Sequence, residues 1–146
     1  MSAVHRPSKV IAFSAFAFAA ISSQSVVAQK ISEGTIQGTI SFPSDAIPPD
    51  MRVCAIQIVG GKEFCTTRKT KRGVLYAYSL KVPVGQYYVY ASTNDRSAGD
   101  LRGSKAFFTE FVKCGLHVRC RSHEKVLVQV TLDSVINGVN PHDWYE

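Results

Sequence analysis

The chain has 146 residues, of which 17 are basic and 11 acidic, giving a formal net charge of +6. That length supports one domain with one hydrophobic core and excludes a two-domain protein. A positive charge of this size favours solubility and weak attraction to anionic surfaces, and it carries no information about fold.

The first 28 residues have the three parts of a secretory signal peptide. A basic start, residues 1–9, is followed by an apolar run, 10–21, and by the small-residue exit 26–28. We therefore predict cleavage before Gln29. The alternative is an uncleaved membrane anchor, which fits less well because the apolar run has about 12 residues and a spanning helix needs about 20.

Cleavage leaves a single domain, residues 29–146, with 15 basic and 11 acidic side chains and a net charge of +4. We expect an exported protein, periplasmic or extracellular, with no membrane span in its mature form. Nucleic acid is not an expected partner of such a chain. No cofactor is expected.

Apolar and polar residues alternate with a period of two through the mature chain, which predicts half-buried β-strands. Proline and glycine turns separate the strands. The pattern is typical of a β-sandwich or barrel, and we predict an all-β sandwich of about seven strands in two sheets. Residues 104–113 fit a short helix or a strand equally well. The alternating runs are 35–42, 53–58, 74–82, 87–92 and 126–132.

Four cysteines in a small exported domain are most simply two disulfides. We favour Cys54–Cys65 and Cys114–Cys120. If residues 58–61 form a four-residue loop, Cys54 falls directly opposite Cys65 on the paired strand. With a two-residue loop Cys65 would face Ile56 instead, although both cysteines would still share one sheet face.

The second cysteine pair also allows a metal-binding alternative. Cys114, His117, Cys120 and His123 are spaced three residues apart, and thiolate and imidazole are ligands of structural zinc. All four crowd into ten residues, which is not a standard finger spacing. In an oxidising compartment the thiols should pair with each other, leaving the histidines as surface or packing residues.

Two groups of side chains are candidates for binding. A basic cluster precedes Gly73 and could contact anionic glycans, lipid head groups or an acidic protein, although it also fits a solvated turn. Aromatic residues could stack on sugar rings if they are exposed, although most fit core positions. The candidate binding residues are Arg68, Lys69, Lys71, Arg72, Trp144 and Tyr145.

No catalytic constellation is visible. Nucleophilic catalysis needs a nucleophile beside an oriented base, and no Gly-x-Ser-x-Gly elbow occurs. The carboxylates, including Asp143, are isolated along the chain. We therefore expect a non-catalytic protein, while a small hydrolase whose site assembles only in the fold stays open.

The segment 80–91, Leu-Lys-Val-Pro-Val-Gly-Gln-Tyr-Tyr-Val-Tyr-Ala, resembles the core of carboxypeptidase regulatory-like domains. Segments 38–43 and 51–56 are similar to their first two strands. These domains are transthyretin-like (prealbumin-like) sandwiches with an Ig-like architecture. The resemblance implies that Pro83 and Gly85 make a tight turn and that the following strand fills the core.

The later part of the chain, from Cys114-Gly-Leu through Cys120 and His123 to Asp143-Trp-Tyr, looks like a subgroup of stand-alone bacterial secreted domains. That resemblance also implies a Cys114–Cys120 disulfide. Hydroxyisourate hydrolases, enzymes of the transthyretin fold, end in Tyr-Arg-Gly-Ser, and this chain ends differently.

Taken together, these features predict an exported, non-catalytic module with a binding or structural role at the cell envelope or outside the cell. Envelope polysaccharide or an envelope protein is the expected partner.

Overall fold

A computed structural model describes residues 32–44 and 46–145, so the predicted signal peptide, 1–28, lies outside the described residues. The all-β prediction is confirmed. The described part of the chain contains nine strands where about seven were expected, because strands of two or three residues are too short to show alternation. The strands are β1 Glu33–Ile40, β2 Arg52–Gln57, β3 Glu63–Thr66, β4 Lys69–Arg72, β5 Leu75–Pro83, β6 Gly85–Ser92, β7 Lys105–Phe107, β8 Val128–Val130 and β9 Val135–Ile136.

The strands form two sheets. The first has the order β4-β5-β1-β9, and its β1–β9 pair is parallel while its other pairs are antiparallel. The second has the order β3-β2-β6-β7, and β8 also pairs with β6. Strands β7 and β8 pair with opposite ends of β6. A single residue, Val84, separates β5 of the first sheet from β6 of the second, so the predicted turn passes the chain between sheets.

The larger of two hydrophobic clusters in the described residues is built from both sheets. Because the side-chain period of a strand is two, the residues between the core positions of the first sheet face the opposite way. Gln37, Ser79 and Lys81 occupy such positions. The main core residues are Ile36, Ile40, Tyr78, Leu80 and Val82 from the first sheet and Val53, Ala55, Tyr87, Val89 and Ala91 from the second.

Both predicted disulfides are confirmed. Cys54 lies directly opposite Cys65 in the β2–β3 pair, with 4.1 Å between their Cα atoms. The four-residue loop is the correct alternative, since the Gln57 amide donates to the Lys62 carbonyl at 2.9 Å. Cys114 and Cys120 close the second bridge, with Cα atoms 6.0 Å apart.

The ambiguous segment 104–113 contains both structures: β7 is followed by one helical turn, α1 Glu110–Lys113. A 3₁₀ helix, Arg96–Leu101, was not predicted, because its glycine-containing sequence has the composition of a turn. It begins where the Asp95 carboxylate accepts a hydrogen bond from the Ser97 amide at 2.8 Å. No helix in residues 32–44 or 46–145 is long and apolar enough to cross a membrane.

The segment after β9 runs along β1. The Val139 amide donates to the Gln37 carbonyl at 3.1 Å, and the Tyr78 hydroxyl donates to the Val139 carbonyl at 2.7 Å. Gly38 makes this approach possible, because a Cβ at that position would overlap the Val139 carbonyl group. The C-terminal segment is thereby part of the first sheet's packing.

We expect Gly38→Ala to lower the free energy of unfolding by about 2 kcal/mol, because the backbone of 139 must move to admit the methyl group. Urea denaturation measures the loss. Gly85→Ala is the matched control: its Cβ would meet the end of the flexible Gln57 side chain at 3.0 Å, so the loss should stay within about 1 kcal/mol. Equal losses in the two variants would contradict the close-approach argument.

Candidate functional site

The outer face of the first sheet carries an open groove of about 1,050 Å³. Strands β1 and β5 supply its floor, which includes Gln37, Thr39 and Ser79. Strand β4 and the residue before it supply one side. The segment after β9 supplies the other side with Asn137 and Asn140. The groove therefore combines amide and hydroxyl groups with the basic side chains of the β4 region.

The alternation of β4 divides the predicted basic cluster. Thr70 and Arg72 lie opposite Ala77 and Leu75 in the β4–β5 register, and all four line the groove. Arg68, two residues before Thr70, lines it as well.

The two lysines of the cluster have other roles. Lys69, although it also lines the groove, donates from Nζ to the carbonyl oxygens of Pro49, at 2.8 Å, and Met51, at 3.4 Å. Its ammonium group is thus held by the loop before β2. Lys71 lines a separate depression beside Gly73 and Val74. Of the four predicted residues, the two arginines carry the charge of the groove.

Three exposed cations, Arg68, Arg72 and Lys81, line the groove. Within the described residues none of them makes a salt bridge or a side-chain hydrogen bond. No lining residue is a carboxylate. Glu33 lies on the face of β1 that carries the groove. It pairs with Pro83 at the strand end, however, and does not line the groove. The groove is therefore a positively charged surface open to solvent.

Sequence reasoning missed Lys81, Asn137 and Asn140. Lys81 was recognisable, because it shares the outward face of its strand with Ser79. The two asparagines gave no signal, since only the packing of the C-terminal segment against β1 brings them to the groove. Asn140 is fixed there by the Thr39 amide, which donates to its side-chain oxygen at 2.8 Å.

The predicted aromatic binders occupy different places. Trp144 is a core residue, 8% exposed, and its indole N–H donates to the Ser41 carbonyl at 2.9 Å. Its ring packs edge-on against Phe42, 5.0 Å between centroids. The prediction of Trp144 as a binding residue is therefore wrong. Tyr145 is 68% exposed but does not line the groove.

The metal-binding alternative is contradicted by the disulfide. The sulfur atoms of Cys114 and Cys120 are bonded to each other, so neither is available as a thiolate ligand. His117 is exposed, and His123 points its Nδ1 at the Asp143 carboxylate. The predicted set of four ligands is not formed.

Asp143 is not isolated in the fold. Its side chain is fully buried, and its Oδ2 lies 2.8 Å from His123 Nδ1 and 2.6 Å from the hydroxyl of Thr109, which donates to it. The Phe111 ring packs against the imidazole, with 4.6 Å between centroids. This pairing was not predicted, since 20 residues separate His123 from Asp143.

A carboxylate and the imidazole that it orients are two of the three members of a catalytic triad. A nucleophile would have to contact the other side of that imidazole. The hydroxyl of the cluster, on Thr109, is buried and donates its hydrogen bond to the carboxylate instead. The cluster therefore joins three chain segments: the end of β7, the residues after the second disulfide and the C-terminal segment.

His142 contacts Thr39, which belongs to the floor of the groove. Its Nε2 is 2.8 Å from the Thr39 carbonyl oxygen, and burial lowers the pKa of this imidazole below its usual range, only partly opposed by that hydrogen bond. The imidazole is therefore held neutral next to the floor of the groove.

No family model, curated protein or solved structure matches this chain. The function of the candidate site is therefore inferred from its geometry. The two disulfides indicate an oxidising, extracytoplasmic environment.

We expect Asp143→Ala to lower the free energy of unfolding by about 3 kcal/mol, since it leaves the buried Thr109 hydroxyl and the His123 imidazole without their partner. Asp143→Asn keeps the shape and one acceptor, so it should lose less. Asp100→Ala, an exposed carboxylate, is the control and should stay within about 0.5 kcal/mol of wild type. Chemical denaturation measures all three, and an Asp143→Ala protein as stable as the control would refute the role of the cluster.

His142 should make stability depend on pH. Its folded-state pKa is lowered, so the unfolded chain, with an ordinary histidine pKa of about 6.5, binds a proton that the folded state does not. The neutral His142 therefore contributes to the free energy of unfolding in full above the unfolded-state pKa. This stabilisation is lost as the pH falls toward the folded-state pKa.

His142→Gln should therefore show a smaller fall in melting temperature between pH 7.5 and 5 than wild type. His117→Gln, which changes an exposed imidazole, should keep the wild-type difference. Identical pH dependence in wild type and His142→Gln would show that His142 does not titrate in this way.

Proposed function

We propose that the chain is the precursor of an exported, non-catalytic β-sandwich module that binds an anionic ligand at the cell envelope or outside the cell. The ligand surface is the groove on the outer face of the first sheet. The observation that carries the proposal is the set of three exposed cations, Arg68, Arg72 and Lys81, in a groove with no carboxylate in its lining.

The unpaired state of these cations favours a binding role over a stabilising one. An exposed charge with no partner contributes little to folding. Three such charges gathered on one concave face repel one another and raise the local positive potential. An anionic ligand relieves that repulsion, whereas a purely structural surface would tolerate acidic residues among the basic ones.

The proposed sandwich is of the transthyretin-like type that carboxypeptidase regulatory-like domains share. Two features support it: a core built from both sheets and the Pro83–Gly85 corner that carries the chain from one sheet to the other. Domains of that kind are usually accessory or binding modules. The resemblance and the groove therefore favour the same class of function.

The predicted signal peptide, the oxidising environment and the basic groove together favour a partner in the envelope. Anionic polysaccharide or an acidic envelope protein has the required charge. The test compares mature wild type with an Arg68→Gln/Arg72→Gln variant in binding to envelope fractions and anionic glycans, at low and moderate salt. Binding by the variant should fall about tenfold, because two exposed charge contacts are each worth up to about 1 kcal/mol.

Arg119→Gln/Arg121→Gln is the matched control. It removes the same charge from exposed positions outside the groove and should bind as wild type does. Equal losses in both variants would indicate attraction by net charge alone. Absence of binding to every anionic fraction at low salt would refute the proposed function.

A further inference from the structure

We infer that the groove binds an extended acidic polysaccharide, laid along the strands and contacted by several cations at once. This inference rests on the proposed function, and it adds the class and the length of the ligand. A single small anion would use only part of the site.

The spacing of the cations sets the minimum length of the ligand. Arg68 and Arg72 share one side of the chain four residues apart, which corresponds to about 13 Å along a strand. Arg72 lies opposite Leu75, and Lys81 follows Leu75 by six residues on β5, about 20 Å along that strand. Because β4 and β5 are antiparallel, Arg68 lies between these two ends, and the three cations span about 20 Å in total. One carboxylate or phosphate group cannot span this distance, so a ligand that uses all three cations must carry repeated charges.

The surface between the cations suits sugar hydroxyl groups. Ser79 and Gln37 lie side by side on the floor, with the Gln37 amide donating to the Ser79 hydroxyl at 3.3 Å. Asn137 is exposed at the opposite side. Amides and hydroxyls offer both donors and acceptors, which match a polyhydroxylated chain better than they match an unbranched polyphosphate.

The same lining disfavours two other polyanionic partners. Tyr78, the one aromatic residue in the lining, is 4% exposed and its hydroxyl is bonded to Val139, so no ring face is available to stack on a nucleic-acid base. Leu75 is the large exposed apolar residue of the lining. Membrane-surface binding normally adds several apolar side chains to the basic ones.

The experiment is a length series on the mature, disulfide-bonded protein. The probes are galacturonic acid, its oligomers of two to eight units and a neutral dextran oligomer of equal size, titrated at low and moderate salt. We expect affinity to rise more than tenfold between monomer and octamer, to fall with added salt because the contacts are exposed, and to be absent for dextran.

Arg68→Gln/Arg72→Gln/Lys81→Gln should abolish the length dependence. The charge-matched control, Arg96→Gln/Arg119→Gln/Arg121→Gln, changes exposed positions outside the groove and should retain it. A circular dichroism spectrum matching wild type checks that both triple variants are folded.

The outcomes separate this inference from the proposed function. Equal affinity for monomer and octamer, lost in the groove variant, would overturn the extended ligand and leave an anion-binding groove. Groove-dependent binding to phosphatidylglycerol vesicles without binding to any oligouronate would overturn the polysaccharide. Failure of every anionic probe to bind would overturn both proposals.

Discussion

The buried carboxylate of Asp143 is the constraint on which the arrangement of the two sheets depends. A charge removed from water is costly unless it is paired and hydrogen-bonded, and here the partners come from two other segments, Thr109 and His123. The same residue's amide donates to the Phe107 carbonyl of β7 in the second sheet at 3.3 Å. Its neighbour Trp144 bonds to Ser41, just after β1 of the first sheet. The C-terminal segment thus contacts both sheets within two residues.

Local residue patterns account for much of the fold. Alternation in 74–82 and 87–92 predicts β5 and β6 because each strand buries one face, and a period of two follows from the backbone alone. The Cys54–Cys65 pairing follows from loop length, since a four-residue loop sets the register of its two strands. In both cases residues close in sequence determine the outcome.

The parts that the sequence did not predict depend on contacts between distant residues. Asp143 and Thr109 are 34 residues apart, and Asn140 meets Thr39 across 101 residues. No local pattern marks such pairs. The error over Trp144 has the same origin: its burial against Phe42 depends on where the C-terminal segment returns, and an aromatic residue near a chain end has no periodicity to show that it faces inward.

The division of the basic cluster shows how strand geometry turns a charge run into a site. Four basic residues around Thr70 would repel one another on a single face. Pleating sends Arg72 outward and Lys71 to the other side. The Lys69 ammonium donates hydrogen bonds to two backbone carbonyl oxygens and is held by them. What remains in the groove is a spaced row of cations, whose separation is fixed by the rise of a strand.

The groove and the buried cluster are physically connected through the C-terminal segment. Asn137 and Asn140 form one side of the groove, and three residues after Asn140 the chain is anchored by Asp143. His142 lies between them in the chain and contacts Thr39, a residue of the groove floor. The asparagine side also has its own hydrogen bonds to β1, from the Val139 amide to Gln37 and from the Thr39 amide to Asn140. Arg72 is held instead by the pairing of β4 with β5. The cation Arg72 and the asparagine amides of this groove are therefore carried by elements with separate supports, one paired with β5 and the other with β1.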